Sequence, residues 1–229
     1  MAVEFRANKL LSALPGKEYQ NLKHFLEPVK LSAREVLLKC NEEPKFLYFP
    51  LQGIVCAILD MENGATTETG FVGREGMVGT LQFIGQGVCH SYSVVQIEGT
   101  AARIEAEALR AEFDRSTMLQ KLLFQYALMR FNQVNQIAAC NNHHTVKQRT
   151  ASCLLRLGDR YGKNEIIPMT HQMLSRMLGV RRTGITLAAK EIQQQGIIDY
   201  CRGKIQILDR SALEEVACEC YQVGKFSRK

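Results

Sequence analysis

A chain of 229 residues, 46% of them hydrophobic, has room for one large or two small domains and enough apolar material for ordinary cores. Its composition excludes a disordered or low-complexity chain, and no stretch approaches the roughly 18 apolar residues a membrane helix needs. The formal net charge of +6 is unevenly placed: residues 1–142 hold 14 Lys/Arg and 15 Asp/Glu, residues 143–210 hold 12 and 5, and the last 19 hold 3 of each. All the positive excess sits in one segment, which points to a polyanionic partner for it; a merely solvated basic surface is the alternative.

The first residues, MAVEFRANKLLSALPGKEYQ, show no apolar run followed by a small-residue cleavage site, so a cytoplasmic protein is expected. Residues 5–27 read as short helices interrupted at Pro15-Gly16. From about 29 to 104 the texture becomes β-rich, with runs at 35–40, 46–49, 54–61, 67–72, 92–97 and 100–104. Turn signals separate them at Glu42-Glu43-Pro44, Glu62-Asn63-Gly64, Gly85-Gln86-Gly87 and Glu98-Gly99. Short strands punctuated in this way predict a β-barrel or sandwich. Gly70, Gly73, Gly76, Gly79, Gly85 and Gly87 crowd one stretch, a density that implies tight turns or close backbone approach.

Helical periodicity begins at Glu105. Thr117 and Gln120 fit a capping box, and Met118 to about Asn142 contains neither Pro nor Gly. Leu119, Leu123, Tyr126, Arg130, Val134 and Ile137 recur every three or four positions, so a dimer seam is expected along this helix; packing on the chain's own barrel is the alternative. Asn141-Asn142-His143-His144 marks a hinge. Thr145 and Gln148 open a further helix to about Tyr161, which Gly162-Lys163-Asn164 ends, and a short strand at Ile166-Ile167-Pro168 follows.

Met169 to Asp209 carries the main signal. Thr170 is a helix N-cap, and Met173, Leu174, Met177 and Leu178 form one apolar face. Gly179 turns the chain, Val180 fills the space under the turn, and a second helix runs from about Arg182 to Gln195. Ile185, Ala188, Ala189 and Ile192 face inward on it, so Arg181, Arg182, Thr183, Thr186 and Lys190 face outward. Ile197 to Cys201 and Lys204 to Leu208 then make a hairpin with Arg202-Gly203 at its tip. Helix, turn, helix and basic hairpin describe a winged helix-turn-helix. Such a unit puts its second helix into the major groove of duplex DNA, with the first helix and the wing on phosphates. A helical hairpin in a protein-interaction domain is the competing reading, and it leaves the charge excess unexplained.

The order of parts resembles the CRP/FNR family of bacterial regulators. The likeness is sharpest at Thr170-His171-Gln172, at Leu178-Gly179-Val180-Arg181-Arg182-Thr183 and at Gly76-Met77-Val78-Gly79, with Phe49-Pro50 and Gly53-Ile54-Val55 also matching the family's barrel. It implies an α+β chain with a jelly-roll sensor domain at 1–115, a dimerisation helix at 116–142 and a winged helix-turn-helix at 143–229. It further implies a homodimer on a palindromic operator of double-stranded DNA, with affinity set by an effector. Family members usually read bases with Arg, Glu and Arg; those positions here are Arg182, Thr183 and Leu187, so only the first agrees. Thr170, His171 and Gln172 fall where phosphates are held, and Arg202 and Lys204 belong to the wing.

The resemblance places an effector pocket at Gly76, Gly79, Thr80, Leu81, His90, Ser91, Val134 and Asn135. Thr80 and His90 stand where cyclic-nucleotide binders have Glu and Arg, so tight binding of cyclic AMP or cyclic GMP is not expected. No iron–sulfur cysteine cluster precedes Cys40, and His90 is the barrel's one candidate haem ligand. No cofactor is expected; an unidentified small-molecule effector is left open.

The eight cysteines read as reduced and mostly buried, and without a CxxC pair no zinc site is expected. Cys218 and Cys220, placed by sequence on a terminal helix, read as partly buried structural thiols with redox activity as the alternative, and His143-His144 reads as hinge filler with a metal or pH element as the alternative. No GxSxG, P-loop or HExxH is present, and Glu68 and Glu75 are isolated, so an enzyme is not expected. The competing function is a cyclic-nucleotide-type signalling module whose basic C-terminus binds a protein. Contacts with RNA polymerase, which an activator would need, leave no readable motif.

Overall fold

Two capping side chains open the fold. In the structure, a computed structural model describing residues 4–64, 66–85, 87–88, 90–161 and 166–223, Glu4 caps a 3-10 turn at Phe5–Ala7 and Asn8 caps α1 (Lys9–Ala13). The Asn8 carbonyl oxygen accepts from the backbone N–H of Leu10 and Leu11 at 3.0 and 3.3 Å. Its amide donates to the Pro50 and Gly76 carbonyls, both at 2.9 Å. A fully buried Asn with four partners stitches the N-terminal helices to the sheet and to the glycine-rich loop. Asn8→Leu strands those backbone groups and is expected to cost about 2–4 kcal/mol, read as a fall in the urea midpoint. α2 (Gly16–Lys23) follows Pro15, which occupies its N-cap.

β1 (Glu27–Leu31), β2 (Val36–Leu38), β3 (Phe46–Asp60), β4 (Thr66–Val72), the short α3 (Thr80–Gly85) and β5 (Tyr92–Glu105) come next. The sheet is antiparallel in the order β1-β5-β3-β4, with β2 also on β5. The runs expected as separate strands at 46–49 and 54–61 are one strand, as are those at 92–97 and 100–104. The reason is a glycine pair. A Cβ on Gly99 would lie 2.3 Å from the Gln52 carbonyl oxygen, and one on Gly53 (φ +89°) 2.6 Å from that of Ile97. With no side chains there, β3 and β5 pass through a bulge and continue, so Glu98-Gly99 is not a turn. Leu31, Leu38, Val55, Val72, Val78, Val95 and Ala101 form the sheet's core. The inward set on β5 starts Ser93, Val95, Ile97, at the two-residue period of a strand with one buried face.

After α4 (Ala106–Arg115) comes the long α5 (Thr117–His143). Its cap sits one residue earlier than the expected Thr117/Gln120 box: the Leu119 N–H donates to Ser116 Oγ at 3.2 Å, and Gln120 Nε2 donates to the Phe113 carbonyl at 2.8 Å. The chain divides into two units, one of Met1–Asp60 with Gly70–Met129 and one of Met61–Thr69 with Arg130–Lys229.

The second unit contains α6 (Val146–Tyr161), β6 (Ile167–Pro168), α7 (His171–Leu178), α8 (Arg182–Gln194), β7 (Ile198–Cys201), β8 (Lys204–Ile207), α9 (Arg210–Val216) and a 3-10 turn at Glu219–Tyr221. The Thr145/Gln148 box is present as expected, with Thr145 N–H on Gln148 Oε1 at 3.1 Å and Gln148 N–H on Thr145 Oγ1 at 3.3 Å. The expected stop at Gly162-Lys163-Asn164 lies outside the described residues, as do Gln86 and Cys89. α6 packs against α7, α8, α9 and the closing turn. Leu154, Leu157, Ile167, Leu174, Ile185, Ile192, Ile205 and Leu213 are wholly buried there. The α+β class expected from sequence holds, with an antiparallel β domain, a long helix and a C-terminal helical unit bearing a small sheet in the order β6-β8-β7.

Candidate nucleic-acid interface

The turn between α7 and α8 follows from three residues. Thr170 Oγ1 accepts from the Met173 N–H at 3.1 Å and starts α7. Gly179 adopts the left-handed conformation (φ 61°, ψ 36°) that ends it, and the Val180 N–H returns to the Ser175 carbonyl at 3.1 Å. The guanidinium of the buried Arg149, on α6, donates to the Leu178 carbonyl at the α7 end. On α8, Ile185, Ala188, Ala189 and Ile192 are buried, while Arg181 at its N-cap and Arg182, Thr183, Thr186, Leu187 and Lys190 are exposed. The helix therefore presents one polar face to solvent with a single large apolar side chain, Leu187, on it.

The hairpin β7–β8 turns at Arg202 (φ 47°) and Gly203 (φ 78°), two left-handed residues in succession, which is the geometry a tight two-residue hairpin requires. A Cβ on Gly203 would stand 3.1 Å from Thr170 Cγ2, so the tip lies against the start of α7. Arg202 and Lys204 flank it, both exposed, and Gln172 is exposed on the first turn of α7. Most of the basic and polar residues expected to meet DNA are thus on solvent-facing positions; Thr170, which caps α7, is half-buried, and His171 departs further.

His171 is turned away from such a role. Its ring stacks on Tyr200 of β7, centroids 4.0 Å apart and planes 17° from parallel, and Nδ1 pairs with Thr186 Oγ1 at 3.1 Å. The side chain expected to hold a phosphate instead ties α7 to the hairpin and to α8. Burial first, and the Arg182 guanidinium after it, hold its pKa below the usual histidine value, so the ring is neutral at neutral pH. An unfolded histidine takes up a proton near pH 6.5 and the folded one resists it, so this contribution to stability is present above about pH 6.5 and is lost as pH falls through the lowered value. Thermal melts should therefore show wild type losing Tm faster than His171→Gln between about pH 7 and 5. Tyr200, which completes the stack, was not among the expected site residues; a ring two residues before a hairpin tip carries no motif of its own.

The loop expected to hold an effector is closely packed within the first unit. A Cβ on Gly76 would fall 1.8 Å from the Tyr126 phenolic oxygen, and one on Gly79 (φ +91°) 2.5 Å from Leu47 Cδ2. Thr80, buried, donates its hydroxyl to the Met77 carbonyl at 2.7 Å. Leu81 and His90 are exposed, Ser91 is half-buried, and the His90 carbonyl accepts from the Cys40 thiol at 3.0 Å. Gly76 thus serves as the socket for an aromatic ring of α5.

That ring corrects the expected seam as well. Leu119, Leu123 and Tyr126 are buried inside the chain itself, and Arg130 and Ile137 are half-buried. Val134 is exposed, as is Asn135, and the large apolar side chains left in solvent along α5 include Phe124, Leu128 and Phe131, at 52%, 60% and 61%. Phe124, Leu128, Phe131 and Val134 recur every three or four positions, the spacing of one helix face, with the Phe124 ring edge-on to Phe113 of α4 at 5.9 Å between centroids.

The described cysteines are free and mostly buried, as expected, but two lie elsewhere than the sequence places them. Cys218 and Cys220 follow α9 in a loop and 3-10 turn instead of lying on a terminal helix, and with Cys140 they form a buried cluster. Burial, then the hydrogen bond and charge of Cys218, pushes the Cys140 thiol up to about 12, which leaves it protonated and a poor nucleophile.

Two family models match the chain: a cyclic nucleotide-binding domain over residues 28–116 and a Crp-like helix-turn-helix domain over residues 148–216. Among solved structures, FixK2 from Bradyrhizobium japonicum is similar with a TM-score of 0.73 at 15% identity, covering 84% of this chain and 98% of its own. A transcriptional regulator of the CRP/FNR family from Thermus thermophilus gives 0.67 at 22% identity, with 83% and 98% covered. The c-di-GMP responsive regulator CLP from Xanthomonas campestris gives 0.64 at 16%, with 84% and 99% covered. A search of curated proteins found no match. Among the described residues no helix is long and apolar enough to cross a membrane.

Proposed function

From a chain that belongs to the CRP/FNR family of transcription regulators, we propose a homodimer that binds a palindromic operator with α8 in the major groove and the β7–β8 hairpin on the flanking phosphates. The observation that carries this reading is the exposed face of α8, cationic at Arg181, Arg182 and Lys190, held beside a basic hairpin tip through His171, Thr186 and Tyr200. Arg182 is the guanine reader, through a forked contact with O6 and N7. Thr183 makes a weaker base contact. Leu187, 63% exposed, suits the methyl group of a thymine. Thr170, Gln172, Arg202 and Lys204 set register on the backbone. The apolar face Phe124, Leu128, Phe131 and Val134 is the dimer seam.

Cyclic AMP and cyclic GMP are not the effectors in this reading. Thr80 offers a hydroxyl already engaged with Met77 where a ribose needs a carboxylate, and His90 replaces the guanidinium that would pair with a phosphodiester. Any effector acts by changing the spacing of the two recognition helices, which must sit about 34 Å apart to enter successive grooves.

Selection of bound fragments from random duplex, followed by fluorescence anisotropy on the winning sequence, tests the proposal. A two-fold sequence should emerge, bound by a dimer, with affinity falling roughly 10³-fold or more between about 50 and 200 mM salt and unchanged by cyclic AMP. A monomer indifferent to duplex DNA at low salt would overturn the assignment.

A further inference from the structure

Cys140 and His144 are four residues apart, so they share a face at the C-terminal turn of α5. Cys218 and Cys220, two residues apart in the segment after α9, meet that face from the other side. Three thiol sulfurs and one imidazole nitrogen come within 4.8 Å of one another. Cys140 Sγ lies 3.6 Å from Cys218 Sγ, and Cys220 Sγ lies 3.6 Å from His144 Nδ1. Tetrahedral bonds of about 2.3 Å to sulfur and 2.0 Å to nitrogen set edges of about 3.8 Å between sulfurs and 3.5 Å between sulfur and nitrogen. These two separations already match those edges, and the longest in the set needs to close by about 1 Å. We propose that Cys140, His144, Cys218 and Cys220 form a closed, structural tetrahedral site for a zinc-class cation, independent of the DNA-binding face.

The surroundings are those such a site uses. His144 offers Nδ1 inward while Nε2 lies 3.2 Å from Glu219 Oε1, the carboxylate on the outer nitrogen that orients a ligating imidazole and fixes its tautomer. Gln136 Nε2 donates to Cys220 Sγ at 2.9 Å, and Ser152 Oγ stands 3.1 Å from Cys218 Sγ, so two of the sulfurs have polar partners suited to a thiolate. Three thiolates on a divalent cation leave a net charge of −1, and Arg156, which donates to the Cys220 carbonyl at 3.2 Å, supplies a neighbouring positive charge. The Cys218–Cys220 segment is also held without a metal. The Cys218 N–H donates to Ser152 Oγ at 3.2 Å, and Tyr221 donates to Asp159 at 2.9 Å while accepting from Arg210 at 2.5 Å. Burial excludes competing water, since Cys140, Cys218 and Cys220 are at most 5% exposed. The site would join the last turn of α5 to the chain's C-terminal segment across α6, at the break His144-Thr145 between α5 and α6. Sequence inspection for CxxC pairs passes over it because C-x3-H and C-x-C meet only through the fold.

The test is a cobalt(II) titration of the full-length protein, reduced and stripped with a chelator, followed by zinc displacement. One equivalent per chain should produce the visible bands of tetrahedral cobalt with a thiolate charge-transfer band, and zinc should abolish both. Cys220→Ser and His144→Ala should weaken binding more than about 100-fold, and Glu219→Gln about 10-fold. Cys153→Ala and Cys201→Ser, outside the set, should bind as wild type, and far-ultraviolet circular dichroism of each variant checks folding. Absence of the tetrahedral spectrum in the reduced wild-type protein overturns the proposal without reference to any variant. So does an unchanged spectrum in folded Cys220→Ser, or a loss as large in Cys153→Ala. None of these readouts uses DNA, so the site and the DNA-binding assignment fail separately.

Discussion

Arg182→Ala is expected to abolish operator discrimination while leaving the fold intact. The side chain is exposed at the first position of α8, and the helix is anchored from its other face by Ile185, Ala188, Ala189 and Ile192. A forked Arg–guanine contact contributes about 1–3 kcal/mol of discrimination, and a two-fold dimer makes it twice, so the loss should reach about 2–6 kcal/mol, or roughly 30- to 20,000-fold. Arg182→Lys keeps the charge but not the planar fork and should lose most of the same discrimination. Lys190→Ala removes a cation further along the exposed face, so it should weaken all sequences about equally and lower the salt slope. Anisotropy titrations on the selected operator and on a scrambled duplex, at two salt concentrations, separate these cases. Wild-type affinity and discrimination in Arg182→Ala would show that α8 is not the reading element.

The DNA-binding half was readable from sequence because its signals are local. Thr170, Gly179 and the Thr145/Gln148 box act within four residues, and the bounds of α7 and α8 follow from them almost to the residue. The features that escaped depend on distant partners. Glu98-Gly99 has the composition of a turn, and only the approach of Gln52 reveals a bulge inside a long strand. His171 has the position of a phosphate ligand, and only Tyr200 and Thr186 convert it to a neutral packing residue. Periodicity along α5 shows that the helix is amphipathic, but not which of its apolar residues the chain itself covers. Leu119, Leu123 and Tyr126 fit the spacing as well as Phe124, Leu128 and Phe131 do, and burial alone separates them.

The contact between Tyr126 and Gly76 sets the second large effect. Gly76→Ala is expected to destabilise the first unit by about 3 kcal/mol, at the upper end for overpacking, because the new methyl would overlap three atoms of a ring that has nowhere to go. Its Cβ would fall 1.8, 2.2 and 2.7 Å from Tyr126 Oη, Cζ and Cε2, and that ring is 0% exposed. The same carbonyl that Asn8 holds belongs to Gly76, so the loop cannot retreat without releasing the N-terminal helices. Tyr126→Ala alone empties the space and should cost about 3–5 kcal/mol. In the double variant the added methyl points into that cavity, so its own penalty should largely vanish, and the two costs should fall short of additivity by about 1–3 kcal/mol. Urea unfolding of the four proteins gives the coupling directly. Strict additivity would mean that the ring and the glycine do not share this space.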